Sequence, residues 1–176
     1  MTDGVGELYL DADAIAARVA ELGGEIARDY ARADLVLVAL LKSSVVFLAD
    51  LSRAVATPHE LDFIELAAYD GAARRGRASV RVLKDLTAPV SGRDVLIVDD
   101  VVDTGLTLNY VRKLLQLRAP RSLAIAALLD RPYRRLVDDL PIRYTGFVVP
   151  DEYFVGYGFG LDERGRNLPD LRLRAV

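Results

Sequence analysis

The chain has 176 residues, and 52% of them are hydrophobic, which fits a single globular domain with a substantial core. Its 23 basic and 26 acidic residues give a net charge of -3, so neither nucleic acid nor a membrane surface is an expected partner. The absence of cysteine excludes disulfides, thiolate metal sites and cysteine nucleophiles, and it fits a cytoplasmic protein.

The first residues contain no basic segment followed by an apolar one, so we expect no secretory signal. The longest apolar runs are far too short to cross a bilayer as helices. Buried strands explain these runs better.

The apolar pattern predicts alternating helices and strands. Apolar residues recur at spacings of three and four from Asp11 to Tyr30, which predicts an amphipathic helix capped by Asp11. The same approach predicts helices at 45–55 and 107–117, and strands at 34–41, 61–69, 80–86, 94–98 and 123–129. This order predicts one α/β domain over residues 1–176, built on an open, mostly parallel sheet with helices on both faces.

Two segments fall outside the alternating pattern. Residues 70–79 contain two glycines, three arginines and no large apolar side chain, so we expect a mobile flap there. Residues 144–176 carry aromatic side chains between glycines and prolines, and we expect them to form a small hood together with the N-terminus. Ligands of open α/β sheets bind beyond the carboxyl ends of the strands.

The segment 95–107 predicts a strand, a phosphate-binding loop and the start of a helix. A helix N-terminus offers unpaired backbone N–H groups, Gly105 permits close backbone approach, and Thr104 and Thr107 add hydroxyl donors. The adjacent Asp99 and Asp100 suit the hydroxyls of a ribose, or a magnesium ion held with them. We therefore predict a site for a phosphorylated ribose.

Asp103 lies inside this loop, four residues beyond Asp99, and is the candidate general acid/base. The alternative is that an acidic strand end and a Thr-Gly turn only cap a helix. For Asp103 or Thr107 alone, capping is the better explanation. For the whole segment, the combination of strand, acidic pair, third carboxylate and glycine favours the phosphate site.

At this point the sequence resembles the type I phosphoribosyltransferases, and among them the hypoxanthine-guanine branch. The segment 95–107 is typical of the superfamily, and several later segments are similar to the purine branch. The matching segments, in the order and spacing of the family, are 40–44, 82–86, 95–107, 127–132, 146–151, 155–158 and 166–169.

The resemblance implies transfer of 5-phosphoribose from phosphoribosyl pyrophosphate to a 6-oxopurine, with Mg²⁺ as cofactor. It implies that Asp103 handles the N7 proton of the purine and that Asp99 and Asp100 bind magnesium and the ribose hydroxyls. Members of the family are usually dimers or tetramers, so a homodimer or homotetramer is expected. The remaining implied substrate contacts are Lys42, Ser43 and Ser44 with pyrophosphate, Thr104, Gly105, Leu106 and Thr107 with the 5-phosphate, Arg131, Tyr153 and Phe154 with the base, and Arg166 with pyrophosphate.

The positions that depart from the family pattern include Ala68, where serine is usual before the flap, and three residues of the predicted site. Ser43 replaces a glycine of the pyrophosphate loop, next to a peptide bond between Leu41 and Lys42 that is cis in the family. Gly160 replaces an aspartate that helps to bind a second magnesium, with Asp162 two positions later as a possible substitute. Arg131 replaces a lysine that contacts the 6-oxo group. Its planar guanidinium can also donate there, but it is bulkier than the ammonium group of lysine.

For several of these residues, an ordinary structural role is the alternative to a functional one. Lys42 and Arg166 could be ordinary surface cations, and Tyr153 could be buried in the hood core. At the level of the whole protein, the alternatives are a preference for xanthine or guanine, or a non-catalytic regulator that senses nucleotides. His59, the only histidine, is expected to be a surface residue.

Overall fold

The computed structural model describes residues 4–69 and 79–175. The predicted flap at 70–79 therefore lies, apart from Ser79, outside the described residues. No helix in the described ranges is long and apolar enough to cross a membrane.

Helices and strands alternate along most of the chain, as the apolar spacing predicts. Asp11 caps the first helix by accepting a hydrogen bond from the backbone N–H of Ala14 at 2.7 Å. A single 3-10 turn, Pro132–Arg134, follows the sixth strand. The elements are β1 (Val5–Leu10), α1 (Ala12–Asp29), β2 (Leu35–Leu41), α2 (Val45–Ala54), β3 (His59–Tyr69), β4 (Ser79–Lys84), β5 (Asp94–Val102), α3 (Leu106–Gln116), β6 (Ser122–Asp130), β7 (Ile142–Val148), β8 (Phe154–Val155) and β9 (Leu171–Arg174).

Six strands form the main sheet, in the order β4-β3-β2-β5-β6-β7. All neighbours are parallel except β3 and β4, which are antiparallel. A second sheet with the order β1-β9-β8 joins the N-terminus to the C-terminal segment and forms the hood. The predicted hood boundary at Tyr144 is too early, because that residue lies in β7 and belongs to the main sheet.

Strand alternation divides the core into two layers. Leu35 and Leu37 of β2 pack in one cluster with the buried faces of α1 and α2. Val36 and Val38, which point to the opposite face, pack in the other cluster with α3. Both faces of the sheet are therefore covered by helices, which explains the continuous apolar run in the sequence.

Strand β5 is longer than the sequence predicts. Its pairing with β2 ends at Val98, opposite Ala39, whereas its pairing with β6 continues to Val102, opposite Asp130. The predicted end at Val98 is wrong because the acidic residues that interrupt the apolar run still take part in the ladder with β6. The acidic pair consequently lies within a strand rather than at its end.

Candidate active site

A crevice opens at the carboxyl end of the sheet, between β2 and β5. Strand β2 ends at Leu41 and its chain turns away through residues 42–44 into α2, while β5 continues beyond it. The helices that follow these two strands cover opposite faces of the sheet. Such a divergence between neighbouring parallel strands is the usual place for a ligand in an open α/β sheet.

Asp99 and Asp100 point to opposite sides of this crevice. Strand alternation directs Asp99 into a pocket formed with the loop 101–105 and the first turn of α3. Asp100 faces the other side, where Ser43 lies near its carboxylate. Both side chains are largely buried, at 8% and 6% exposure. The acidic pair therefore spans the crevice from the phosphate pocket to the loop after β2.

Burial raises the pKa of Asp99 well above its ordinary value, and the neighbouring charge of Asp100 raises it further. Burial also raises the pKa of Asp100, although hydrogen bonding from Ser43 opposes that shift. Two adjacent buried carboxylates without a cation disfavour simultaneous ionisation. A bound cation or ribose hydroxyls would relieve this cost.

The phosphate pocket has a volume of about 90 Å³ and is lined by Asp99, Asp103, Thr104, Gly105 and Thr107, together with apolar neighbours. Gly105 has a φ of +80° and ends the loop immediately before α3. The pocket is far smaller than the roughly 300–1,000 Å³ that encloses a whole small ligand. It can hold one substituent, such as a phosphate group, at the N-terminus of a helix.

Leu106 contributes its backbone rather than its side chain to this loop. Its side chain is 56% exposed, and its N–H lies 3.4 Å from the hydroxyl oxygen of Thr104. The phosphate contacts predicted for residues 104–107 therefore rest on main-chain N–H groups and the two threonine hydroxyls.

The two carboxylate oxygens of Asp103 differ in accessibility. Its Oδ1 is buried and receives no hydrogen bond from the residues that the structure describes. Arg134 Nε lies 3.1 Å from this oxygen, but the contact does not have hydrogen-bond geometry and is only an ion pair. Since the side chain is nevertheless 35% exposed, Oδ2 is the oxygen that a ligand in the crevice can reach.

The loop after β2 is held by the hood. The Leu41–Lys42 peptide bond is cis, as the resemblance implies. The hydroxyl of the fully buried Ser44 donates to the carbonyl oxygen of Leu40. Gly158, with a φ of +96°, packs so closely on the carbonyl oxygen of Ser43 that a β-carbon there would collide with it. This contact explains one glycine of the 155–158 segment.

Lys42 and Arg166 meet through a shared carboxylate. Lys42 Nζ lies 3.1 Å from Glu163 Oε2, and Arg166 donates to Glu163 Oε1 at 3.2 Å and to the carbonyl oxygen of Gly158 at 2.7 Å. The two cations predicted to bind pyrophosphate therefore lie on the same side of the crevice. Glu163 holds them there while the side chains of Lys42 and Glu163 stay mostly exposed.

The absence of a side chain at Gly160 leaves room for the guanidinium of Arg166. A β-carbon at position 160 would lie 2.7 Å from the guanidinium carbon of Arg166. Asp162 is exposed and lies in the turn between the bridged residues Leu161 and Arg164. Across residues 4–69 and 79–175, no group of three or more His, Asp or Glu side chains is arranged to hold a metal ion.

The predicted base contacts lie together at the mouth of the crevice. Arg131 is buried, and its guanidinium donates to the carbonyl oxygen of Glu152 and lies 5.7 and 5.6 Å from the ring centroids of Tyr153 and Phe154. Tyr153 is 59% exposed, so the alternative that it is buried in the hood core is wrong. Phe154 is the buried ring, packed at a tilt against Tyr9, so only backbone atoms of this residue are left to meet the predicted base.

Sequence reasoning missed three charged residues beside these groups. They are Arg134 next to Asp103, Arg135 behind the phosphate loop, and Glu163 between the two cations. The arginines had a usable signal, since they follow β6, the strand that pairs with β5 up to the residue before Asp103. His59 is also less exposed than expected, because its ring bonds with Ser52 and the carbonyl oxygen of Thr57.

The family model described as a phosphoribosyl transferase domain matches residues 6–164. The chain belongs to this family. Among phosphoribosyltransferases, the hypoxanthine phosphoribosyltransferase of Salmonella typhimurium is 47% identical over 165 residues, covering 93% of this chain and 92% of that protein. The hypoxanthine-guanine phosphoribosyltransferase of Mycobacterium avium is 43% identical over 170 residues, covering 93% and 83%.

Solved phosphoribosyltransferases share the fold. The crystal structure of a hypoxanthine phosphoribosyltransferase from Staphylococcus aureus superposes with a TM-score of 0.91 at 36% identity, covering 98% of this chain and 92% of that one. The resemblance inferred from the motifs is confirmed, and so is the predicted α/β fold of type I phosphoribosyltransferases.

Proposed function

We propose that this phosphoribosyltransferase works in purine salvage in the cytoplasm. It transfers 5-phosphoribose from phosphoribosyl pyrophosphate to hypoxanthine or guanine, giving IMP or GMP and pyrophosphate. The observation that carries the proposal is the pocket at the start of α3, where a phosphate-sized space lies between Asp99 and Asp103. The names of the relatives agree with this assignment.

In this reaction the C1–N9 bond forms, the bond from C1 to pyrophosphate breaks, and the N7 proton of the purine passes to Asp103. The accessible Oδ2 of Asp103 suits that role, since Oδ1 is buried against Arg134. The first turn of α3 fixes the 5-phosphate, and Tyr153 stacks on the base while Arg131 donates to its 6-oxo group. Lys42 and Arg166 stabilise the charge of the departing pyrophosphate, with Ser43 and Ser44 shaping the loop between them.

The acidic pair fits a magnesium ion. Asp99 and Asp100 provide hard carboxylate oxygens, and two such ligands completed by substrate oxygens are typical of magnesium bound with phosphates. Bound magnesium would supply positive charge beside the leaving group. We further propose that the single domain assembles as a homodimer or homotetramer, which sedimentation equilibrium would establish.

A panel of bases tests the reaction and its specificity. With phosphoribosyl pyrophosphate and magnesium, we expect pyrophosphate release with hypoxanthine and guanine. Release mainly with xanthine would assign the enzyme to the alternative base preference. No release with any of the three bases, despite binding of IMP, would instead indicate a nucleotide-sensing regulator.

Asp103→Asn tests the proton transfer. The amide keeps the shape of the side chain but cannot accept the N7 proton, so we expect kcat to fall about a hundredfold or more. Binding of IMP, measured by calorimetry, should change far less. Asp139→Asn, which removes an exposed carboxylate in the loop before β7, is the control and should retain full kcat. Equal losses of turnover and IMP affinity in Asp103→Asn would contradict the assigned role.

A further inference from the structure

The segment 131–136, which follows β6, braces the phosphate loop. The Nε of Arg135 donates to the carbonyl oxygen of Asp103 at 3.3 Å, and the N–H of Leu136 donates to the carbonyl oxygen of Thr104 at 2.9 Å. These bonds fix the backbone on which the Asp103 side chain stands. They leave the orientation of its carboxylate to be set by other groups.

Arg134 is the charged group that reaches this carboxylate. Its Nε lies 3.1 Å from Asp103 Oδ1, and its Nη1 donates to Asp151 Oδ1 at 3.1 Å. Hydrogen bonding with Tyr153 is the main cause that raises the pKa of Arg134 above its ordinary value, followed by the charges of Asp103 and Asp151. One guanidinium thus connects the proton-transfer group with Asp151, two residues before the aromatic residue predicted to stack on the base.

The geometry of the contact with Asp103 has a chemical consequence. Arg134 lies against the buried Oδ1, so the attraction of opposite charges holds that oxygen inward. The other oxygen, Oδ2, remains accessible and receives no hydrogen bond from the residues that the structure describes. The ion pair therefore restricts the rotation of the carboxylate and leaves Oδ2 available to the purine proton.

We propose that Arg134 is a positioning residue for proton transfer, holding Oδ1 of the Asp103 carboxylate inward so that Oδ2 faces the purine. The inference rests on the proposed function and extends it to a residue outside the reacting atoms. Arg134 neither gains nor loses a proton in this step. Its effect on turnover passes through Asp103, because misplacing a catalytic group by a small distance slows the chemical step strongly.

A double-mutant cycle of Arg134→Gln and Asp103→Asn tests this dependence. We expect Arg134→Gln alone to lower kcat about tenfold with less than about a twofold change in the KM for phosphoribosyl pyrophosphate. In the Asp103→Asn background the same substitution should lower kcat by less than about twofold, since the group that it positions no longer accepts the proton. Arg134→Lys, which keeps the charge, should recover part of the loss.

Arg28→Gln is the control, because Arg28 is exposed on α1 and its one hydrogen bond within the described residues runs along its own helix to Gly24. It should leave kcat unchanged. Additive losses in the double mutant, or a loss that Arg134→Lys does not relieve, would overturn the positioning role while the proposed function stands. Failure of the wild-type protein to release pyrophosphate with any base would overturn both.

Discussion

At the scale of single residues, the buried carboxylate of Asp99 lowers the stability of the folded protein. A carboxylate that is buried beside another carboxylate destabilises the folded protein when both are ionised. We therefore predict that Asp99→Asn raises the Tm of the protein at neutral pH in the absence of magnesium and substrate. Each kcal/mol gained would appear as roughly 2–4 °C at this chain length. Differential scanning calorimetry checks the shift.

The same substitution should abolish most phosphoribosyl transfer, because it removes a proposed ligand of magnesium and ribose. Stability gained with activity lost is the expected trade-off for a site that carries unfavourable charge. Asp139→Asn, at an exposed position, should leave both Tm and activity unchanged. A lower Tm for Asp99→Asn would show that the carboxylate has a structural partner that outweighs the cost of burial.

Among elements, the phosphate loop depends on a backbone conformation that its glycine supplies. Gly105 has a φ of +80°, and a β-carbon there would lie 2.7 Å from Leu140 Cδ1. We predict that Gly105→Ala raises the KM for phosphoribosyl pyrophosphate about tenfold or more, because a loop that shifts by a fraction of an ångström misplaces its N–H donors. Steady-state kinetics with varied phosphoribosyl pyrophosphate measures this effect.

Gly92→Ala is the matched control for that experiment. Gly92 has a similar φ of +72°, but a β-carbon at that position would meet no atom within 4 Å. Both substitutions should destabilise the fold by about 1–2 kcal/mol through the left-handed conformation. Only Gly105→Ala should affect the KM, so similar KM values for the two variants would contradict the role assigned to the loop.

The elements of the main sheet were largely predictable from apolar periodicity, since helix and strand faces are set by burial. The end of β5 was not, because the ladder of Asp99 to Val102 with β6 depends on a neighbour that local sequence does not specify. The boundary of the hood was misplaced for the same reason. Residues 144–148 are interrupted by polar and glycine positions, yet they complete the edge of the sheet as part of β7.

The candidate site likewise contains residues that local sequence predicts and residues that it does not. A local motif placed Asp99, Asp103 and Gly105 around one pocket, because strand, loop and helix are contiguous in the chain. Arg134 could be placed only through the pairing of β5 with β6, and Glu163 not at all from local sequence. Their contacts with Asp103 and Lys42 join residues far apart in the chain, and only the packing of the hood and the strand order bring them together.

On the scale of the whole molecule, β5 runs from the amino edge of the sheet, where charged side chains stabilise the fold, to the carboxyl edge, where the candidate site lies. At its amino end, the buried Asp94 accepts hydrogen bonds from Arg121 and, at 2.6 Å, from the Ser122 hydroxyl. Beside it, Arg93 pairs with Asp34 and Glu60. At the carboxyl end of the same strand lies the acidic pair of the site, with which no basic side chain of residues 4–69 and 79–175 forms a salt bridge.

Removing a charge should therefore change the stability of the protein differently at the two edges. The substitution Asp94→Asn tests this at the amino edge. Hydrogen bonding from Arg121 is the main cause that holds the pKa of Asp94 below its ordinary value, against the effect of burial. An acid with a lowered folded pKa stabilises the protein above its unfolded pKa of about 3.9, and that stability is lost as the pH falls through the folded value. We predict that Asp94→Asn lowers the stability at pH 7 by about 1–2 kcal/mol.

Thermal unfolding at a series of pH values separates this effect from general acid sensitivity. The Tm of the wild-type protein should fall below about pH 4, and that of Asp94→Asn should fall less steeply, so that the two curves converge at low pH. Other acids with a lowered pKa, such as Asp62, which is bonded to Lys84 and nearby backbone N–H groups, remain in both proteins and preserve part of the acid transition. Parallel curves would mean that the Asp94 carboxylate keeps an ordinary pKa in the fold. In that case the contribution of the amino edge would come from shape and neutral hydrogen bonds rather than from charge.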